Sequence, residues 1–196
     1  MLLVDSGNNR VQEYSLDGKF FTQWGSGGNL DGQFDHPWGI CDDVHGNVYV
    51  ADWRNDRIQK FTTQGEHIAS FGHSGSGDGQ LSRPAGLAVD AEGNMYVADW
   101  GNQRLQVLDS QGNFLDSHRG AADLNPWCIE YFDSQADERR ARESFVPVYV
   151  PDIDDESEIS ARMEPYLWDP VDVQLDKDGL IYVLETGRHR FQIFER

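Results

Sequence analysis

Gly46-Asn47-Val48-Tyr49-Val50-Ala51-Asp52-Trp53 returns 47 residues later as Gly93-Asn94-Met95-Tyr96-Val97-Ala98-Asp99-Trp100, with seven of the eight positions identical. Self-similarity at a fixed period decides an architecture before any single motif does, because each unit of an array must bury its apolar side against the next. The same step links Arg10, Arg57 and Arg104. Each opens an Arg-apolar-Gln segment (Arg10-Val11-Gln12, Arg57-Ile58-Gln59, Arg104-Leu105-Gln106), and a fourth copy stands at Arg190-Phe191-Gln192. Each arginine follows an acid by five positions: Asp5, Asp52, Asp99 and Glu185. Turn formers fill the gaps, as in Ser6-Gly7-Asn8-Asn9 and Trp100-Gly101-Asn102-Gln103, so the pattern is a hairpin used four times.

Alternation and breakers define one whole unit around that hairpin. Strand a is Gly39 to Asp42, and the turn Asp43-Val44-His45-Gly46 leads to strand b, Val48 to Ala51. The acid-to-Arg loop leads to strand c, Ile58 to Phe61, and the turn Thr62-Thr63-Gln64-Gly65 feeds strand d near His67 to Phe71. The glycine-rich connector Gly75 to Leu81, with a twin at Gly27 to Phe34, carries the chain to the next unit. Four short antiparallel strands per unit, with no 3.6-period stripe, predict an all-β propeller and exclude helical solenoids. The first unit enters at strand b (Leu2 to Val4) and the last stops after strand c (Phe191 to Glu195). The expectation is an incomplete ring of about 3.5 to 4.5 blades, with units at residues 2–34, 35–81, 82–120 and 168–196. An open ring leaves unpaired strand edges, which points to self-association or to completion by a longer chain or a second copy.

The pattern Pro-x-Gly-apolar, Gly-Asn-x-Tyr-Val-Ala-Asp, Asn-x-Arg-apolar-Gln resembles the NHL repeat family over about residues 2–124 and 168–196, in the manner of the stand-alone bacterial members. The resemblance implies a ring of usually six four-stranded blades. It also implies a surface that binds proteins, or RNA in some animal members, with a minority of enzymatic relatives such as the peptide-amidating lyase. Ubiquitin-ligase members carry their zinc-binding cysteines in a region absent from this sequence. The RNA-binding versions look basic on the binding face, and this chain departs from them.

Its net charge is −18, from 34 acidic and 16 basic residues. Such a surplus opposes a phosphate backbone and an anionic membrane, so neither nucleic acid nor membrane is an expected partner. The start Met1-Leu2-Leu3-Val4-Asp5 has no basic, apolar leader, and a cytoplasmic location is expected if that start is native. Cys41 and Cys128 sit in apolar company and read as small buried hydrophobes.

Residues 121–167 break the period. Ser134 to Glu143 reads as a short surface helix with Ser134 as its cap, and Asp152 to Glu158 is an acidic run read first as a solvated loop and second as a weak Ca²⁺ site. The segment is an acidic, partly helical insert. Alternatively it is a degenerate blade, since Pro126-Trp127-Cys128-Ile129 echoes Pro37-Trp38-Gly39-Ile40 and Tyr149-Val150-Pro151-Asp152 echoes Tyr49-Val50-Ala51-Asp52.

Because strands alternate in direction, the b–c loops and the entries to strand a share one face of the disc. That face collects Trp38, Trp53, Arg54, Arg83 and Trp100, with His36 beside them. Trp and Arg dominate binding hot spots, whereas repeated Trp also serves packing between blades. The acid-to-Arg sets Asp5/Arg10, Asp52/Arg57, Asp99/Arg104 and Glu185/Arg190 read as structural ion pairs. The six histidines show no metal-ligand spacing, and His45 and His67 read as exposed. No catalytic residue, metal or cofactor is therefore expected. The function expected is a non-catalytic scaffold that binds a protein or small ligand on the b–c face. The alternative is a lyase- or hydrolase-like, metal-dependent propeller enzyme with its site at the central channel.

Overall fold

The computed structural model describes residues 1–120, 131, 133–143 and 167–195. The chain divides into two compact units, Met1–His118 with Trp168–Arg196, and Arg119–Leu167. The first unit holds fourteen strands in four antiparallel sheets. Blade 1 is β1 (Leu2–Asp5), β2 (Arg10–Tyr14) and β3 (Phe20–Trp24). Blade 2 is β4 (Pro37–Asp42), β5 (Val48–Asp52), β6 (Arg57–Phe61) and β7 (His67–Phe71). Blade 3 is β8 (Pro84–Val89), β9 (Met95–Asp99), β10 (Arg104–Leu108) and β11 (Phe114–His118). Blade 4 is β12 (Pro170–Leu175), β13 (Ile181–Glu185) and β14 (Arg190–Phe194). Every sheet is a meander, and the four do not close a ring: the fold is an incomplete β-propeller.

Alternating side chains explain how the blades pack. On one face of blade 2, Val48, Val50 and Phe61 meet Val11 of blade 1, with Leu2 and Trp24 at the margin. On the other face, Tyr49, Ala51, Ile58 and Phe71 meet Leu87, Met95, Val97 and Leu108 of blade 3. A strand sandwiched on both sides loses the outward polar half of its pattern, which is why Val-Tyr-Val-Ala-Asp is buried at all five positions of β5. The inner strands approach so closely that a Cβ on Gly39 would lie 2.3 Å from the Ala85 carbonyl oxygen, and one on Gly86 would lie 2.5 Å from Asp172 Cα. Only glycine fits there.

In blades 1 to 3 the b–c loop is a single 3-10 turn, at Ser6–Asn8, Trp53–Asn55 and Trp100–Asn102. A left-handed residue ends each one: Asn9, Asp56 and Gln103, at φ of 53°, 52° and 53°. The strand partners on either side are Asp5↔Arg10, Asp52↔Arg57 and Asp99↔Arg104, so strands b and c reach the acid and the Arg themselves, one residue beyond the expected ends.

In the second unit, α1 runs Ala136–Glu143, with Asp137 and Glu138 in its first turn. Ser134 is not its cap: its hydroxyl donates to the Tyr131 carbonyl at 2.6 Å, and it is the Gln135 carbonyl that accepts the Arg139 N–H, at 3.0 Å. The expectations for Cys128, for the Pro126–Ile129 and Tyr149–Asp152 echoes, and for the Asp152–Glu158 run lie outside the described residues. His67 is also corrected. It is half-buried, edge-on to Phe61 at 5.7 Å and bonded to Ser70 Oγ at 2.9 Å, because strand d lays it across the end of β6. His45 lies exposed in its turn.

Candidate functional site

The backbone that carries the b–c face is held by a hub repeated in each blade. In blade 3, Asp99 accepts Arg104 Nε at 2.8 Å, Asn102 Nδ2 at 2.8 Å, Gln106 Nε2 at 3.1 Å and the Ser82 backbone N–H at 2.7 Å. Blade 2 repeats the set with Asp52, Arg57, Asn55, Gln59 and the Asp35 N–H. The outer arm of each arginine grips the connector of the blade before: Arg57 Nη2 donates to Leu30 O and Gln33 O, and Arg104 Nη2 to Gly77 O and Gln80 O. Glutamine completes the clamp. Gln59 Oε1 accepts the Gly32 N–H at 2.9 Å, and Gln106 Oε1 accepts the Gly79 N–H at 3.1 Å. Asp5–Arg10 at 2.8 Å and Glu185–Arg190 at 2.6 Å occupy the same places in the outer blades.

Burial pushes the Asp52 and Asp99 carboxyls above their ordinary value, against the donors and the arginine that favour the ion. Asp5 is only partly buried, and its bonds to Asn8 and Arg10 hold it below that value. The carboxylates of the interior hubs, and the Nε and Nη2 groups of their arginines, are thus engaged in structure.

A second latch passes from blade to blade. The left-handed residue of one b–c loop accepts the backbone N–H at the entry of the next blade: His36 N–H to Asn9 Oδ1, Arg83 N–H to Asp56 Oδ1 and Asp169 N–H to Gln103 Oε1, each at 2.7 Å. This latch fixes where residues 36 and 83 present their side chains.

On that frame the five side chains named from sequence come together. Trp38 and Trp53 lie 5.9 Å apart between ring centroids, and Trp53 and Trp100, on neighbouring blades, 6.0 Å. The Arg83 guanidinium stands 5.1 Å from the Trp53 ring and 5.7 Å from the Trp100 ring, and Arg54 covers Trp53 from 5.8 Å. His36 packs on Trp53 at 6.1 Å. Trp38 is half-exposed, Arg54 and Arg83 are exposed, and Trp53 and Trp100 are partly buried, so packing and presentation coexist in one row. Arg54 also meets Asp35 at 3.8 Å. A further pair continues the row on blade 4, with Arg188 5.7 Å from the Trp168 ring. Trp168 aligns with Asp35 and Ser82 in the repeat, but the interrupted period before it hid the register.

The opposite face offers different chemistry. Asp43, Asp90 and Asp176 each accept N–H groups of their own a–b turn and a tyrosine hydroxyl, from Tyr49, Tyr96 and Tyr182. Between the a–b turns of blades 3 and 4 lies a 400 Å³ groove lined by Asp90, Glu92, Asp176 and Lys177. Toward the axis, burial together with Asp42, Asp43 and Asp172 pushes the Cys41 thiol up to about 12. A thiol so placed is not a nucleophile at neutral pH. Among the described residues no three His, Cys, Asp or Glu are grouped as metal ligands, and no helix is long and apolar enough to cross a membrane.

No curated protein sequence matches the chain. Solved structures do. One is a structural-genomics protein of unknown function from Bacteroides thetaiotaomicron, with a TM-score of 0.63 at 18% identity, covering 98% of this chain and 43% of that one. A streptogramin B lyase matches with a TM-score of 0.55 at 14% identity over 99% and 50% of the two chains. A virginiamycin B lyase from Staphylococcus aureus gives 0.51 at 12% identity over 99% and 51%. The chain therefore spans about half the length of these structures, and the likeness concerns the fold. The NHL repeat matches residues 34–61, 81–108 and 167–194, which run from the entry of strand a to the end of strand c in blades 2, 3 and 4. The chain thus carries three NHL repeats on the sheets of an incomplete β-propeller.

Proposed function

We propose that this propeller is a recognition scaffold whose b–c face binds a peptide segment of a partner protein or a small ligand, with Trp38, Trp53, Arg54, Arg83 and Trp100 as contacts. One observation carries the reading: three indoles and two guanidiniums from two blades form one continuous row, on loops whose backbone is clamped by buried hubs. Rigid aromatic and guanidinium groups held ready on a stiff frame give large contact area with little ordering cost. The opposite face presents carboxylates already occupied by their own turns.

The test is a peptide screen followed through the side-chain N–H signals of ¹⁵N-labelled tryptophan. Hits are expected to move Trp38, Trp53 and Trp100 together. The double variant Trp53→Ala/Trp100→Ala is expected to lose about 2 kcal/mol or more of binding, as hot-spot truncation does, while the thermal melt stays largely intact. Hits that leave these three signals still, or a double variant that unfolds, overturn the reading in favour of packing. Two of the similar structures are named lyases, so covalent change in a screened compound would mark an enzyme instead.

A further inference from the structure

Arg83 differs from the hub arginines and from Arg54 in what its head group touches. Arg10, Arg57, Arg104 and Arg190 are each bonded to the hub acid, and Arg54 faces Asp35. The Arg83 guanidinium makes no ion pair and no hydrogen bond to any described residue. Among the described residues, what holds it is stacking against the indoles of Trp53 and Trp100. Its backbone is fixed by the latch to Asp56 and by a left-handed φ of 51°.

A guanidinium stacked on aromatic faces keeps its planar edge of N–H donors for a ligand. That edge matches the two oxygens of a carboxylate, and the adjacent indoles offer an apolar floor to whatever the carboxylate is attached to. We propose that Arg83 is the anion-binding residue of the b–c face. Its ligand class is a peptide carboxylate with an aromatic or aliphatic group beside it, the carboxylate held by Arg83 and the apolar group laid on Trp38 and Trp53.

The overall charge selects within this class. At −18 the molecule repels polyanions, but the screening length is about 8 Å at physiological salt, so one short monoanion feels mainly the charges at hand, where Asp35 offsets Arg54 and Asp56 holds the Arg83 backbone while the Arg83 head group faces the indoles. This inference rests on the b–c face being the binding surface.

The whole chain is titrated with two probes of nearly equal shape, N-acetylphenylalanine and its uncharged carboxamide, followed through the tryptophan side-chain N–H signals. The carboxylate is expected to shift Trp53 and Trp100 with a dissociation constant of roughly millimolar order, suitable for so small a probe, and the carboxamide to bind at least tenfold more weakly. Arg83→Lys, which keeps the charge and loses the planar fork, is expected to weaken the carboxylate about tenfold. Arg83→Gln should erase the preference between the two probes, and Lys177→Gln, an exposed cation of the opposite face, should preserve it. Equal binding of both probes, or a preference unchanged in Arg83→Gln, overturns the anion site and leaves the face itself standing. Silence toward both probes also overturns the anion site, and the peptide screen then decides separately whether the face binds anything.

Discussion

Blades 2 and 3 carry the same motif as blades 1 and 4, yet the outcome differs. In β5 and β9 all five residues are buried, whereas β13, with an equivalent Ile-Tyr-Val-Leu-Glu, alternates: Ile181, Val183 and Glu185 are buried and Leu184 is exposed. The hubs follow. Asp99 and Arg104 are 0% and 3% exposed, while the Asp5 and Arg10 side chains are 21% and 31% exposed. An interior blade is covered by two neighbours; an outer blade, among the described residues, by one. Leu3 and Phe21 on blade 1 and Leu184, Phe191 and Ile193 on blade 4 remain open, and among the described residues Arg10 bonds to Asp5 and Gln23 of its own blade rather than to a connector. A motif therefore specifies a blade, but the neighbour specifies how much stability the motif supplies.

The largest effect that can sharpen this contrast is loss of the hub acid. Asp99→Ala takes the acceptor away from Arg104, Asn102, Gln106 and the Ser82 N–H at once, and breaking one half of a buried pair costs about 3 to 5 kcal/mol. Asp5→Ala removes the same partner from an arginine that water can reach, so its loss should be far smaller. Urea unfolding followed by tryptophan fluorescence compares the two. Equal losses would break the distinction between interior and outer blades.

A smaller effect uses one repeat position that glycine holds in blades 1, 3 and 4, as Gly7, Gly101 and Gly187. A Cβ on Gly101 would lie 2.9 Å from the Ser82 carbonyl oxygen and closer still to its side chain, while one on Gly7 would meet nothing within 4 Å. Gly101→Ala should cost roughly 1 to 3 kcal/mol through overpacking. Gly7→Ala should be neutral or stabilise by about 0.4 to 1 kcal/mol, because it restricts the unfolded chain alone. The same urea midpoints read both, and destabilisation by Gly7→Ala would show that blade 1 is enclosed by something else.

These pairs also mark what a sequence can disclose. The 47-residue step and the Arg-apolar-Gln segments made the sheets legible, and strand alternation placed Trp38, Trp53, Arg54, Arg83 and Trp100 on one face. The clamps escaped because their partners lie 24 to 27 residues away in the connector, where Gln33 and Gln80 look like ordinary loop residues. Stacking of Arg83 between rings of two blades likewise needs the angle between sheets, which no period encodes. The Trp168–Arg188 pair was hidden because residues 121–167 remove the ruler by which its register is counted.

The smallest expected effect is in acid. Asp5, Asp17, Asp109 and Asp176 are held below the ordinary 3.8 by their hydrogen bonds, and so is Asp43 despite its burial. A lowered group stabilises the fold above 3.8 and loses that contribution as pH falls through its folded value, so these acids weaken the protein below 3.8. Asp52 and Asp99 lie above 3.8, pushed up by burial. A raised carboxyl binds its proton more readily in the folded state, so its contribution grows as pH falls from that raised value toward 3.8. Urea midpoints measured downward from neutrality should hold level or rise slightly to about pH 4, then drop. Asp99→Asn should flatten the upper part of that curve and leave the acid drop, while Asp109→Asn should soften the drop and leave the upper part. If Asp99→Asn changes the acid limb instead, its carboxyl is held low like that of Asp5, and burial does not set the two apart.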